Sequence, residues 1–418
     1  MTPRMLKQTL EEWSREVRVP ADLADRALRR RSRLRLTRLA GAVSCAAAVA
    51  AVALLVPLVV IPHFAVEPIS RVGGPPVVVP VQPYRETKPA EDVMTDTGNS
   101  PPKRMIAAGR VAVSAYFTWR WRTAGGRKVM DRTWYLLDQV TGTYEKTDWG
   151  WVEVAPGLRW AAVLEKALPV RRIGIFDMEV RRVRAWVPVD RPVGGLAWSP
   201  DGTRLLATAY DDLPDLDMTT VDERQCPTRA AATPEDARPP RMISTSRTGF
   251  YVVDVATATA GDFHAVDPCL TDNSNVRRDF GWSDDGTLVR EASNIWKRPD
   301  AFYDLEGRPH DAPAGYVVTE SKAGVSPDGT LLAGPDGMPT KVTELSTGRV
   351  VGRQQVLQLL AWADDRRLVA LGCAGACGSE FHNGLVLVSV DGEDKVQLSV
   401  YRKNSQKPEE WHPVLTLR

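Results

Sequence analysis

Apolar positions change their period twice along the chain. Leu6, Leu10, Trp13 and Val17 fall at i, i+4, i+7 and i+11, the stripe of a short helix that also carries Glu11, Glu12 and Glu16. Pro20 ends it and opens a second helix through Leu23 and Leu28. An uncharged run of 23 residues follows, Leu39 to Ile61, long enough as a helix to cross a hydrocarbon core of about 30 Å. From residue 104 the apolar runs are short and alternate with Gly, Pro and Asp turns, which predicts strands.

Those strands repeat. Leu196 to Ala207 reads as a strand, a tight turn and a second strand, with Trp198, Pro200, Asp201 and Gly202 at the turn. Gly281 to Val289, with Trp282, Asp285 and Gly286, and Gly324 to Ala333, with Pro327, Asp328 and Gly329, are close copies. Ala361 to Val369, with Trp362, is a weaker copy, and Val154 to Gly157 and Ile106 to Gly109 are degenerate ones. With Ala108, Pro156, Pro200, Asp284, Pro327 and Asp364 taken as equivalent, the intervals are 48, 44, 84, 43 and 37. The long interval contains residues 211–248, an acidic insertion; without it the period is about 43, that of propeller blades. Each unit continues into a second strand pair with its own turn, such as Thr133 to Asp138 before Gly142 or Leu385 to Val390 before Gly392. Four strands per unit make a blade, so an all-β, six-bladed β-propeller is expected over 104–418. Trp198, Trp282 and Trp362 are placed to fill space between blades. Val77 to Val81 or the C-terminal Val414 to Leu417 are candidates to close the ring, with the C-terminal segment preferred.

The Trp-Ser-Pro-Asp-Gly element at 198–202 and its copies resemble the repeats of TolB-like and WD-repeat-like β-propellers. The whole layout resembles membrane-anchored propeller proteins of actinobacteria, and the resemblance covers about residues 104 to 400. It implies a fold; such propellers serve as scaffolds, sensors and hydrolases alike, so it implies no activity.

Charge sets the topology. Arg29, Arg30, Arg31, Arg33, Arg35 and Arg38 precede the uncharged run, whereas His63 to Ser70 offers only Glu67. The positive-inside rule then puts a basic helical tail, 1–38, in the cytoplasm, a transmembrane helix at 39–61, a Pro-rich extended linker at 62–103 and the propeller outside. A cleaved signal peptide fits worse, because the run exceeds its usual apolar core and Pro62-His63-Phe64-Ala65 is a poor cleavage site. Lipid attachment at Cys45 would need the apolar run before it, and most of the run comes after. The tail carries a net charge of +6 against +2 for the whole chain, so the body is net acidic and a nucleic-acid partner is not expected. Arginine dominates the basic residues, as in a GC-rich bacterial genome.

Outside the membrane run lie Cys226, Cys269, Cys373 and Cys377, and an oxidising exterior makes disulfides the default. Cys226 and Cys269 flank one predicted blade and are candidate partners; Cys373 and Cys377 sit in a Gly/Ala turn that can close on itself. His264, His310, His382 and His412 show no metal-ligand spacing. Asp211, Asp212, Asp215, Asp217, Asp222 and Glu223 offer oxygen ligands but lack the spacing and glycine of a calcium loop, so a solvated acidic loop is the preferred reading. No Gly-x-Ser-x-Gly elbow is present, and Gly324 to Gly329 has the wrong spacing for one. Asp138 to Gly142 has a faint likeness to quinoprotein propellers that a hairpin turn accounts for.

No catalytic residue and no cofactor follow from the sequence. The expectation is a membrane-anchored, non-enzymatic binding or scaffold module with a protein or envelope ligand at the propeller face. Two alternatives stand beside it: a sensor signalling through residues 1–38 to a cytoplasmic regulator such as a sigma factor, and a hydrolase whose loop-borne site escapes motif reading.

Overall fold

Tight turns at regular spacing return the chain on itself, and each named strand pair is antiparallel. A computed structural model describes residues 78–86, 90–226, 242–271, 273–295, 297–375, 382–402 and 410–418; the expected tail, membrane run and Cys45 lie outside these. Among the described residues no helix is long and apolar enough to cross a membrane.

The first sheet holds β1 (Val93–Met94), β2 (Ala107–Ala108), β3 (Val111–Ala124), β4 (Arg127–Asp138) and β5 (Thr143–Lys146). The second runs through β6 (Trp151–Val154), β7 (Trp160–Leu164), β8 (Val170–Asp177), β9 (Arg182–Trp198) and β10 (Arg204–Tyr210). A small hairpin of β11 (Arg224–Gln225) and β12 (Met242–Ile243) lies within the insertion, after which β13 (Arg247–Asp254), β14 (Thr259–Ala260) and β15 (His264–Ala265) complete the second sheet. Then come β16 (Gly281–Trp282), β17 (Val289–Glu291), β18 (Ala301–Tyr303) and β19 (Pro309–His310); β20 (Leu331–Ala333), β21 (Thr340–Glu344) and β22 (Val350–Gln354); and β23 (Val356–Trp362), β24 (Arg367–Gly372), β25 (Gly384–Ser389) and β26 (Lys395–Gln397). The chain ends in β27 (Trp411–Leu417), which pairs with β3.

The architecture is all-β and propeller-like, but six separate four-stranded sheets are not what forms: four sheets have four or more strands. Two local features account for the difference. β9 runs for 17 residues and pairs with β8 in its first half and β10 in its second, fusing two repeats into one eight-stranded sheet. Residues 324–326 make a single bridge, Val325 to Leu332, instead of a strand, so the sheet that follows has only three.

Apolar clusters join four pairs of neighbouring sheets. Trp134 and Leu136 of β4 pack with Val152 and Val163, and Leu206 and Phe250 pack with Trp282 and Tyr303. Leu331 and Val342 pack with Leu359 and Trp362, and Ile106, Val113 and Tyr116 meet Ala363, Leu371 and Leu387. The last contact brings the final sheet back against the first, which is what a ring requires.

Closure is made at both ends of the body. β27 pairs with β3 from Trp411–Thr118 to Leu417–Val111, so the preferred C-terminal segment does enter the sheet. β2 and β4 both overlap β27 in register along β3, so they occupy the opposite edge and β27 is the inner strand. The described residues of the expected linker lie on the body: β1 pairs with β2, the Asp96 amide donates to Leu398 O at 2.8 Å, and Val79 is buried with Trp160 and Val253.

Candidate binding site at the channel mouth

Because strands alternate in direction, the turns after first strands lie on one face of the ring and the connections between second and third strands on the other. The recurrent turns build the first face. Ser199, Ser283 and Ser326 each donate a hydroxyl hydrogen bond to the aspartate two residues on, Asp201, Asp285 and Asp328, at 2.5, 2.5 and 2.6 Å. Each serine oxygen in turn accepts the amide five residues on, from Arg204, Leu288 and Leu331, at 2.9 Å. Gly202, Gly286 and Gly329 follow with φ of 69°, 69° and 75°. Pro200 stands against Gly286, and Arg204 donates to Gly286 O at 2.7 Å, so neighbouring turns touch. The tryptophans do more than fill space. Trp198, Trp282 and Trp362 donate their indole N–H to Glu153 O, Ala197 O and Gly324 O at 3.0, 3.1 and 3.3 Å, tying the first strand of each repeat to that of the one before. The first strands therefore stand side by side around a central channel. The turn serines are the contributors that sequence reading passed over, although they occupy the same place in all three close copies.

On the opposite face the first part of the insertion is clasped to a hairpin of the first sheet. The long hairpin of β3 and β4 reaches residues 211–217, whose backbone joins it through a Val129–Leu216 bridge, Met130 N to Asp215 O and Asp217 N to Lys128 O. Asp212 pairs with Arg127, Asp217 with Lys128 at 2.8 Å, and Asp215 with Arg132 at 2.6 Å and Arg277 at 2.8 Å. Asp212, Asp215 and Asp217 are clasps and not part of a solvated loop, because Arg127, Lys128, Arg132 and Arg277 meet them, whereas Asp211, Asp222 and Glu223 are exposed as expected. Burial alone would raise the Asp215 carboxyl, but Arg277 and Arg132 hold it below the ordinary range. Arg277 also bonds Asp279 at 2.6 Å and lies 3.8 Å from the centre of the Trp151 ring. Below it, burial and then Asp279 push Glu153 up to about 8. Further along, the insertion is tied to Cys269 by a disulfide from Cys226. Cys373 is disulfide-bonded as well, while Cys377 lies outside the described residues.

Elsewhere on this body a cavity of about 470 Å³ opens between β23 and β27. Phe117, Leu357, Leu360, Leu371, Pro413 and Leu415 form its apolar walls, and Lys322, Gln358, Arg402, Glu410 and His412 its polar ones. The Arg402 guanidinium donates to Asn383 Oδ1 and to Trp411 O, and its Nη2 lies 2.8 Å from Glu410 Oε1. The Glu410 side chain is fully buried, yet neither of its oxygens accepts a hydrogen bond. Burial pushes its carboxyl up to about 7 against the pull of Arg402. Burial, then the charges of Arg402, Arg132 and Lys322, push His412 down to about 4, so it is neutral at pH 7. Trp119 donates to His412 Nε2 at 3.1 Å, which leaves the imidazole proton on Nδ1, and Phe117 stacks on the ring at 4.9 Å. Lys322 also lines a second, more polar cavity of about 530 Å³ with Arg290, Glu320 and Asp336. Among the described residues no three His, Cys, Asp or Glu side chains converge as metal ligands would.

Comparison with known proteins adds little. No protein-family model and no curated protein matches the chain. Among solved structures it is similar to hydrazine synthase from Kuenenia stuttgartiensis, at 14% identity over 63% of this chain and 71% of that one, with a TM-score of 0.34. It is likewise similar to TolB from Acinetobacter baumannii, at 14% identity over 73% of this chain and 67% of that one, with a TM-score of 0.36. Both likenesses are too distant to carry an argument about function, and the propeller-like reading rests on the strand pairing and closure described above.

Proposed function

We propose that this chain is a non-enzymatic binding or scaffold module that takes its ligand in the cavity between β23 and β27. The observation that carries the reading is the buried, hydrogen-bond-free carboxylate of Glu410 on the wall of a 470 Å³ cavity, a size that suits a small ligand or a side chain of a larger one. The ring counts six blades if the eight-stranded sheet is divided at the middle of β9 and the three-stranded sheet is taken as one blade. The body stands outside the cell membrane, held by residues 39–61 with the basic tail inside; the arginine flank and a disulfide suited to an oxidising compartment support this. Signalling by residues 1–38 to a cytoplasmic regulator is a second reading, motivated by the apolar stripe from Leu6 to Val17.

Ester, peptide and glycoside reporters test the non-enzymatic part. The purified full chain is expected to leave all three intact. Turnover that disappears in Glu410→Ala would overturn the reading and make the channel mouth an active site.

A further inference from the structure

The open cavity states what it lacks. Leu357, Leu360, Leu371, Pro413 and Leu415 form an aliphatic side of it, so the part of a ligand that lies on that side gains by being apolar. Glu410 Oε1 has the Arg402 guanidinium at 2.8 Å as an ion-pair partner, but Oε2 is buried with no donor, and a buried acceptor left unmade costs about 1–3 kcal/mol. The guanidinium is paired with Oε1 alone, and its remaining N–H contacts go to Asn383 and the Trp411 carbonyl, so none is given to Oε2. A cationic donor would face Arg402 and Lys322, and a carboxylate ligand has no hydrogen to donate to Glu410. What remains is a neutral donor.

Resting on the reading of this cavity as the ligand site, we propose that it binds a mainly apolar, uncharged small molecule that carries a phenolic or alcoholic hydroxyl, donated to Glu410. Arg402 is then a positioning residue that holds the carboxylate in place, and the stacked Phe117–His412 pair is the aromatic part of the cavity wall.

A matched series tests the chemistry by titration calorimetry on the full chain in detergent: 2-naphthol, 2-methoxynaphthalene, 2-naphthylmethylammonium and 2-naphthoate. The naphthol is expected to bind about tenfold or more tightly than the methyl ether and than either ion. Glu410→Leu is expected to erase the preference over the ether. Leu360→Trp, which fills the cavity and leaves Glu410 in place, is expected to abolish binding and keeps the test informative should the first variant fail to fold. Equal binding of alcohol and ether, tighter binding of an ion, or no binding by any of the four would overturn the proposal. Failure of the chemistry is separable from failure of the site: a ligand still captured in cells by a photoreactive residue at Gln358, and lost in Leu360→Trp, would keep the site and reject the hydroxyl, whereas capture of nothing there would reject both.

Discussion

Glu410 is tied to its place by Arg402 on one side and lies 3.6 Å from His412 on the other. Its folded-state pKa is raised from 4.5 to about 7, so its protonated form favours the fold; that stabilisation is whole below pH 4.5 and is lost as pH rises through 7. His412 works in the opposite sense. Its pKa falls from 6.5 to about 4, so its stabilisation is whole above 6.5 and is lost as pH falls through 4. Glu410→Gln imitates the protonated acid, and it should stabilise the protein by about 1–3 kcal/mol at pH 8 with almost no effect at pH 4.5, read by chemical denaturation. A turn residue gives a second residue-scale test. Gly286 sits at φ 69°, where an added Cβ would also come within 3.1 Å of Pro200, whereas a Cβ on Gly281 meets nothing within 4 Å. Gly286→Ala should cost about 1–2 kcal/mol or more, and Gly281→Ala much less, in the same unfolding measurement.

Between elements, the insertion is held twice, by ion pairs at residues 212–217 and by the disulfide at Cys226. Asp215→Ala would leave Arg132 and Arg277 buried without their shared anion, a loss of about 3 kcal/mol or more. Reduction of Cys226–Cys269 should cost about 2–4 kcal/mol and open the insertion to limited proteolysis after residue 217, while the clasped residues 211–217 stay protected. Cleavage within 211–217 on reduction alone would show that the ion pairs do not hold that segment. These clasps were not legible in the sequence. Acids at 212, 215 and 217 meet cations at 127, 128, 132 and 277, residues that a repeat period places in other units, so composition alone suggested a solvated loop. The turns were legible because each is local: Ser, Pro or Asp, Asp and Gly complete their hydrogen bonds within six residues.

At the scale of the molecule, the strand-turn period announced a ring of repeated sheets, and the preference for a C-terminal closing strand agrees with β27 on β3. The blade count was less legible, since nothing in the sequence marks that β9 would run unbroken through the junction of two repeats or that Val325 would form a bridge and not a strand. The candidate site was not legible at all. Glu410 and His412 belong to the closing segment, outside every repeat copy, and Lys322, Gln358 and Arg402 reach them only once the ring is shut. A chain ending at residue 410 would strip β3 of its inner partner and uncover Val113 and Tyr116; it should lose cooperative thermal unfolding.

The most direct test of the account compares two photoreactive substitutions in the full chain, in intact cells: Gln358 at the open cavity, and Arg366, exposed on the turn face. The account predicts a crosslinked ligand from position 358 that disappears in Leu360→Trp, and none of that species from position 366. Capture of the same species from 366, or capture from 358 that Leu360→Trp leaves unchanged, would contradict a ligand site at the channel mouth.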